Sequence, residues 1–211
     1  MRGGIQESLF DAPDETVTAV HPLAGGVRRR ELSHGAWVDL RPGWLTGASA
    51  LFDRLREHVP WHGERRQMYD SMLTVPRLMA HYDADRPLPD PLLVQLRDEL
   101  SSHYRRELPD GFATAGLCLY RDGSDSVAWH GDRIGRGAHE DTLIAIVSLG
   151  APRTLALRPR GGGTSLRMTM GNGDLLVMGG SCQRTWDHAV PKTAAGCGPR
   201  ISVQFRPRGV R

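Results

Sequence analysis

His130-Gly131-Asp132 sets an imidazole and a carboxylate one residue apart, and His188 offers a second imidazole far along the chain. Side chains on an extended segment alternate with a period of two, so His130 and Asp132 project to the same face. Two imidazoles and one carboxylate on one face of a metal are the ligand set of non-haem iron(II) oxygenases, which leave positions open for a cosubstrate and oxygen. The pair alone is a weak signal. His81-Tyr82-Asp83 and His139-Glu140-Asp141 repeat it, His62-Gly63-Glu64 approximates it, and a chain with nine histidines contains chance pairs. His81 and His139 read as ordinary surface or hydrogen-bonded histidines. What separates His130 from them is its company.

That company is a site for a keto acid. 2-Oxoglutarate chelates iron through its keto acid end and projects a second carboxylate inward, where a buried anion needs a charge-assisted partner. An arginine suits it best, because the planar guanidinium matches a carboxylate. Arg200 opens the segment Arg200-Ile-Ser-Val-Gln-Phe-Arg206, soon after His188. Read as a strand, this segment puts Arg200, Ser202, Gln204 and Arg206 on one face and Ile201, Val203 and Phe205 on the other. An edge strand with a solvated basic face is the plainer alternative.

The elements that would position these residues fall into two halves. Met1 to about Gly35 lacks sustained periodicity, contains Arg28-Arg29-Arg30, and is expected to be a loosely ordered arm. Ala36–Leu40 reads as a strand. Ala48, Leu51, Phe52, Leu55 and Val59 recur at helical spacing, and Pro60 stops them. Asp90 and Pro91 read as the N-cap and first turn of a second helix, with Leu92, Leu93, Leu96, Leu100 and Tyr104 as its apolar stripe. After Asp110, short β-prone runs alternate with turn residues: 115–120, 142–149, 153–157, 165–170, 174–178, 185–190 and 201–205. The expectation is one α+β domain over 36–211, a double-stranded β-helix of jelly-roll or cupin-like form with N-terminal helices packed on it.

Bulk properties bound the function. The 211 residues suit a single core, and 39% hydrophobic with 24% charged residues is ordinary for a globular chain. No apolar run is long enough for a membrane helix, Met1-Arg-Gly-Gly-Ile lacks the form of a secretory signal, and three cysteines include no CxxC pair. These features lead to an expectation of a cytoplasmic protein; a monomer is a separate expectation that they do not decide. From Ala151 onward ten basic residues face two acids, an asymmetry that permits phosphate contact. It does not identify nucleic acid by itself, since Lys192 is the only lysine and arginine is favoured throughout.

Four ordered blocks between Met68 and Arg206 resemble the AlkB family of iron(II)/2-oxoglutarate-dependent dioxygenases. Leu119-Tyr-Arg-Asp-Gly-Ser-Asp-Ser-Val-Ala-Trp-His-Gly-Asp132 is similar to the segment around the first two iron ligands. Gly173-Asp-Leu-Leu-Val-Met178 with Thr185-Trp-Asp-His-Ala-Val-Pro-Lys192 looks like the segment bearing the third. Pro199-Arg-Ile-Ser-Val-Gln-Phe-Arg206 resembles the closing arginine strand, and Val75-Pro-Arg-Leu78 with Tyr82 an upstream stretch of nucleic-acid demethylases. The resemblance implies that His130, Asp132 and His188 bind iron(II). It implies that Tyr120 and Arg200 hold the distal carboxylate of 2-oxoglutarate, with Cys118, Ser202, Gln204 and Arg206 lining its pocket. Residues 60–90 would be a nucleotide-recognition region, with Met68 and Tyr69 at a duplex-probing finger and Arg77 and Tyr82 near the base.

The implied activity is oxidative demethylation of N-alkylated bases such as 1-methyladenine and 3-methylcytosine, in DNA or RNA, using O2 and releasing formaldehyde, succinate and CO2. Three positions depart from the family pattern. Cys118 stands where an asparagine is usual, Arg133-Ile134-Gly135 follows the His-x-Asp in place of an acidic residue, and the loop after Tyr82 lacks an aromatic pair. The alternatives are the same chemistry on RNA, protein or a small molecule, and a non-catalytic metal-binding cupin-like module. A zinc hydrolase has little behind it, since no general base flanks His130.

Overall fold

The computed structural model describes residues 18–68, 71–193 and 196–210, and of residues 64–75 that lie within strands only the backbone is considered. The chain begins with β1 (Ala19–Val20), β2 (Arg28–Glu31), β3 (Ala36–Arg41), β4 (Leu45–Thr46), α1 (Ala48–His58), β5 (His62–Met68), β6 (Ser71–Tyr82) and α2 (Pro91–His103). The β-rich half follows as β7 (Thr114–Tyr120), β8 (Val127–His130), β9 (Ile144–Gly150), β10 (Arg153–Pro159), β11 (Leu166–Met170) and β12 (Asp174–Gly180). It closes with the short helix α3 (Cys182–Thr185), β13 (Trp186–Val190) and β14 (Arg200–Arg206).

Two antiparallel sheets make the jelly roll. The major sheet runs β2-β3-β12-β9-β14-β7-β6-β5, the minor sheet β11-β10-β13-β8, and β1-β4 form a separate pair. The major sheet is covered on both faces, which explains why β9 reads as an unbroken apolar run. Ile144 and Ile146 join a cluster with Leu155, Leu157, Leu176, Met178 and Trp186 between the sheets. Ala145, Val147 and Leu149 join Leu51, Leu55, Leu93, Leu96 and Leu100 beneath the helices. Each buried leucine contributes roughly 1.5–3 kcal/mol by leaving water, so the helical layer fixes the sheet's outer face.

Both helices form where the spacing predicts them, with α1 stopping before Pro60. At α2 the Asp90 side chain accepts from the Leu92 N–H, and Pro91 occupies the first turn. The same carboxylate accepts from Arg54 Nε of α1 at 2.7 Å, so one buried side chain both caps α2 and links the two helices. Gly173, before β12, has φ +82° and lies where a Cβ would stand 1.9 Å from the Leu45 carbonyl oxygen, so only glycine fits this close crossing.

The strands read from sequence after Asp110 all appear, with β8 added between the first two. Residues 18–35 differ from expectation, since β1 pairs with β4 and β2 pairs with β3. β2 is an exposed edge with no apolar alternation, so no periodicity betrays it. It is held by its ladder and by Arg29, which grips buried Asp39 through Nε (2.8 Å) and Nη2 (2.9 Å) while Tyr104 donates to the same carboxylate. Residues 1–17 of the expected arm lie outside the described residues. The β5–β6 hairpin is also missing from the sequence reading, because its strands lack a clean two-residue alternation.

Asp90→Ala is expected to cost about 1–2 kcal/mol in urea denaturation through loss of the cap, with Asp90→Asn retaining most of it. Cys182 is buried, and burial pushes its thiol up to about 12, so it stays protonated at all ordinary pH. Alkylation of the native protein at pH 8 should therefore spare Cys182 and label the more accessible Cys197, as peptide mass mapping will report.

Candidate metal centre and cosubstrate cavity

β8 and β13 are neighbours in the minor sheet, and their register sets His130 directly opposite His188. The two rings lie 4.2 Å apart between centroids. Gly131 then turns the chain against α3, where a Cβ would come within 2.7 Å of the Gln183 carbonyl oxygen, so glycine lets the strand end press this close. Asp132 follows, its backbone N–H donating to Gln183 Oε1 at 3.0 Å. The result is a cluster in which one ligand atom from each of His130, Asp132 and His188 lies within 4.8 Å of the others, a spacing that suits a single ion.

The protonation states fit a metal. His130 Nδ1–H is placed to donate to the Ala128 carbonyl (2.9 Å), which leaves Nε2 with a lone pair on the side of Asp132, 3.7 Å away. Burial pushes His188 down to about 3, with repulsion from His130 adding to it, so its imidazole is neutral and able to coordinate. Burial alone would push the Asp132 carboxyl up, but Arg206, His188 and His130 outweigh it and hold it at about 2. Arg206 Nε donates to Asp132 Oδ2 at 2.7 Å, which leaves the other carboxylate oxygen toward His130.

A cavity of about 570 Å³ runs from this cluster between the two sheets. The alternation of β14 holds as expected: Ile201, Val203 and Phe205 are fully buried beneath the helices, while Arg200, Ser202, Gln204 and Arg206 line the cavity. Gln204 connects them, donating to Ser202 Oγ (2.9 Å) and accepting from Arg206 (3.4 Å), with the Cys118 thiol 3.8 Å from its Oε1.

Arg200 starts the strand at 1% exposure, and burial lowers its pKa. Its Nε donates to the Ser148 hydroxyl at 2.9 Å and its Cζ lies 5.2 Å from the Tyr120 ring centroid, but Nη1 has no partner. Tyr120 is also buried, and burial pushes its hydroxyl up to about 12, so it remains a donor. A buried guanidinium with an N–H unpartnered by protein beside a protonated phenol has the chemistry to hold an anion, and the pair fits the distal carboxylate of a keto acid.

The remaining sequence-level candidates divide. Arg77 lines the cavity. Tyr82 does not: it sits on the opposite face of β6 with Leu78 and Ala80, 3% exposed in the cluster beneath the helices, with Arg86 over its ring. The two-residue period of β6 turns it away from the cavity. Tyr69 lies outside the described residues, as does the side chain of Met68. His81, read from sequence as unremarkable, lines the cavity, as do His62 and Ile134, the latter 69% exposed. Only the strand assignment of 71–82, which the sequence reading lacked, would have placed His81 there. Gln183 was also missed, since nothing in its local sequence signals a contact to Asp132.

Sheets and side chains together define a class: a jelly roll with a two-histidine, one-carboxylate cluster in the same inner cavity as a buried, anion-seeking arginine. Residues 42–206 match the family described as the 2OG-Fe(II) oxygenase superfamily. The cattle (Bos taurus) protein called alpha-ketoglutarate-dependent dioxygenase alkB homolog 3 is 30% identical, over 97% of this chain and 78% of its own length. The human protein of that name is also 30% identical, over 82% and 68% respectively. An Arabidopsis thaliana protein called DNA oxidative demethylase ALKBH2 is 28% identical over 74% of this chain and 60% of its own. Among solved structures, that of OsALKBH1 superposes with a TM-score of 0.60 at 12% identity, covering 86% of this chain and all of that one, a likeness of fold.

The chain belongs to the AlkB family of iron(II)- and 2-oxoglutarate-dependent dioxygenases. Its cofactors are accordingly iron(II), 2-oxoglutarate and O2.

His188→Ala and Asp132→Ala are each expected to abolish stoichiometric Mn(II) binding, read by electron paramagnetic resonance of the free ion. Far-ultraviolet circular dichroism should stay unchanged, because the ladders of β8 and β13 are backbone-made. His139→Ala, outside the cluster, should bind Mn(II) as the parent does.

Proposed function

We propose that this dioxygenase removes N-linked methyl groups oxidatively from bases in nucleic acid, DNA foremost. The observation that carries the reading is the shared cavity: the His130, Asp132 and His188 cluster and the unspent N–H of Arg200 face the same interior. The names of the relatives, one of them a DNA oxidative demethylase, direct the chemistry toward nucleic acid. In this reading His130, Asp132 and His188 hold the iron, and Arg200 with Tyr120 holds the distal carboxylate of 2-oxoglutarate. When bound, iron and 2-oxoglutarate supply the power to oxidise a methyl C–H bond with O2, giving succinate, CO2 and a hydroxymethyl group that leaves as formaldehyde.

The protein's part is positional. Arg206 fixes one oxygen of Asp132 and Gln183 fixes its backbone, so the carboxylate has one orientation. Ile144, Ile146, Leu155 and Val190 wall the cavity with apolar surface and exclude water from the reacting end. The target base must leave its stack to reach the cluster, and a methylated base that pairs poorly costs less to extract. Residues 60–90 supply one wall of the cavity, with His62, Met79 and His81 among its lining, in keeping with a nucleotide-recognition role.

Methylated single-stranded and duplex DNA oligonucleotides, incubated with protein, iron(II) and 2-oxoglutarate, should lose 14 mass units per methyl group (about the mass of one CH2) with matching succinate. Succinate with unchanged oligonucleotide masses would sink the nucleic-acid reading and turn attention to protein or small-molecule substrates. Arg200→Met is expected to raise the KM for 2-oxoglutarate at least about tenfold, the loss of a charge-assisted contact, with little effect on Mn(II) binding.

A further inference from the structure

We infer that Arg77 is a second anchor for the distal carboxylate of 2-oxoglutarate, closing the cosubstrate chamber from β6 opposite Arg200. The inference rests on the cosubstrate reading given under Proposed function and moves Arg77 away from the base.

The register decides the level at which Arg77 acts. β6 pairs with β7 so that Met79 faces Cys118 and His81 faces Gly116, and one step beyond Leu78 and Leu119 brings Arg77 opposite Tyr120. β7 pairs with β14 so that Tyr120 faces Arg200. Arg77, Tyr120 and Arg200 therefore form one row across three adjacent strands on the cavity face. The metal level lies at the other end of those strands, where Gly116 abuts Arg206 and Arg206 holds Asp132. His81 is the β6 residue at that level. Arg77 is four residues from it, about 13 Å along a strand, which sets its backbone at the level of Tyr120 and Arg200 and away from the level of Asp132.

Hydrogen-bond inventory then separates the arginines around Tyr120. Arg153 stands 5.5 Å from the ring but is spent on the carbonyls of Asp122, Asp125 and Pro191 at 2.8–2.9 Å. Arg200 has Nη1 free. Arg77 gives Nη1 to the Ser126 carbonyl at 3.4 Å, a long contact, and its Nε is buried with no partner. Two guanidiniums with unspent buried N–H groups thus flank one phenol in one cavity. Like charges so placed are stabilised by an anion between them, and a carboxylate with two oxygens can accept from both. Cys118, next along β7, offers that carboxylate only a weak donor, so the second guanidinium supplies what the thiol does not.

The test is calorimetric titration of Mn(II)-loaded protein with 2-oxoglutarate and with pyruvate, a keto acid that lacks the distal carboxylate. Arg77→Met should weaken 2-oxoglutarate binding about tenfold or more, the worth of one charge-assisted hydrogen bond, and leave pyruvate unchanged. Arg77→Lys, which keeps the charge and is the milder change to the fold, should recover part of the loss. Equal weakening toward both keto acids would overturn the inference, because Arg77 would then act through the metal or the fold. Unchanged 2-oxoglutarate binding with weaker binding of a methylated oligonucleotide would also overturn it and return Arg77 to the base. Arg200→Met marks where the cosubstrate reading itself fails: if neither it nor Arg77→Met alters 2-oxoglutarate affinity, the cavity does not hold the distal carboxylate at all.

Discussion

Burying a guanidinium is costly unless something repays its lost hydration, and the fold keeps Arg200 at 1% exposure with one nitrogen unbonded. Much of the molecule is arranged around that cost. The helices cover the outer face of β14 so that its other side chains can be wholly apolar. Ser148 from the neighbouring strand takes one donor, Tyr120 provides a flat neighbour, and the cavity leaves the last donor for a negatively charged guest. An apolar side chain in place of Arg200 would make a simpler sandwich, and it would have no means of orienting a dicarboxylate.

A similar economy governs the metal cluster. Opposing positions on two paired strands bring His130 and His188 together without any loop having to find the right shape. Asp132 comes from beyond the strand end and needs more support, which Gln183 gives to its backbone and Arg206 to its side chain. Paired strands carry the imidazoles, and a small network aims the carboxylate. Arg206 thereby ties the cluster to the strand that also bears Arg200, so the His–Asp–His cluster and the buried guanidinium are joined through one backbone element.

Much of this was legible in the sequence, for reasons that differ by element. The alternation of Arg200–Arg206 reads cleanly because one face is sealed by helices and the other lines a polar cavity. α1 and α2 read cleanly from apolar spacing, Pro60, and the Asp90-Pro91 start. β2 did not, since an exposed edge strand is held by backbone bonds and by Arg29 on Asp39, neither of which leaves a pattern. The β5–β6 hairpin was hidden for a related reason, and with it the phase of β6. Without that phase Tyr82 was assigned to the base and His81 set aside, whereas the strand turns Tyr82 into the core and His81 toward the cavity. The partnership of Gln183 with Asp132 joins α3 to the segment after β8, and no local signal encodes such a contact.

β8 is only four residues long, lies at the edge of the minor sheet, and meets β13 through two paired positions with an irregularity between them. Backbone bonds alone give such a short border strand a modest grip. An ion shared by His130, Asp132 and His188 would act as a rivet across that seam, fastening the border strand and the turn after it to the body of the sheet. Occupying the cluster would thus be a mechanical event as well as a chemical one, since it would stiffen the strand end that borders the cavity.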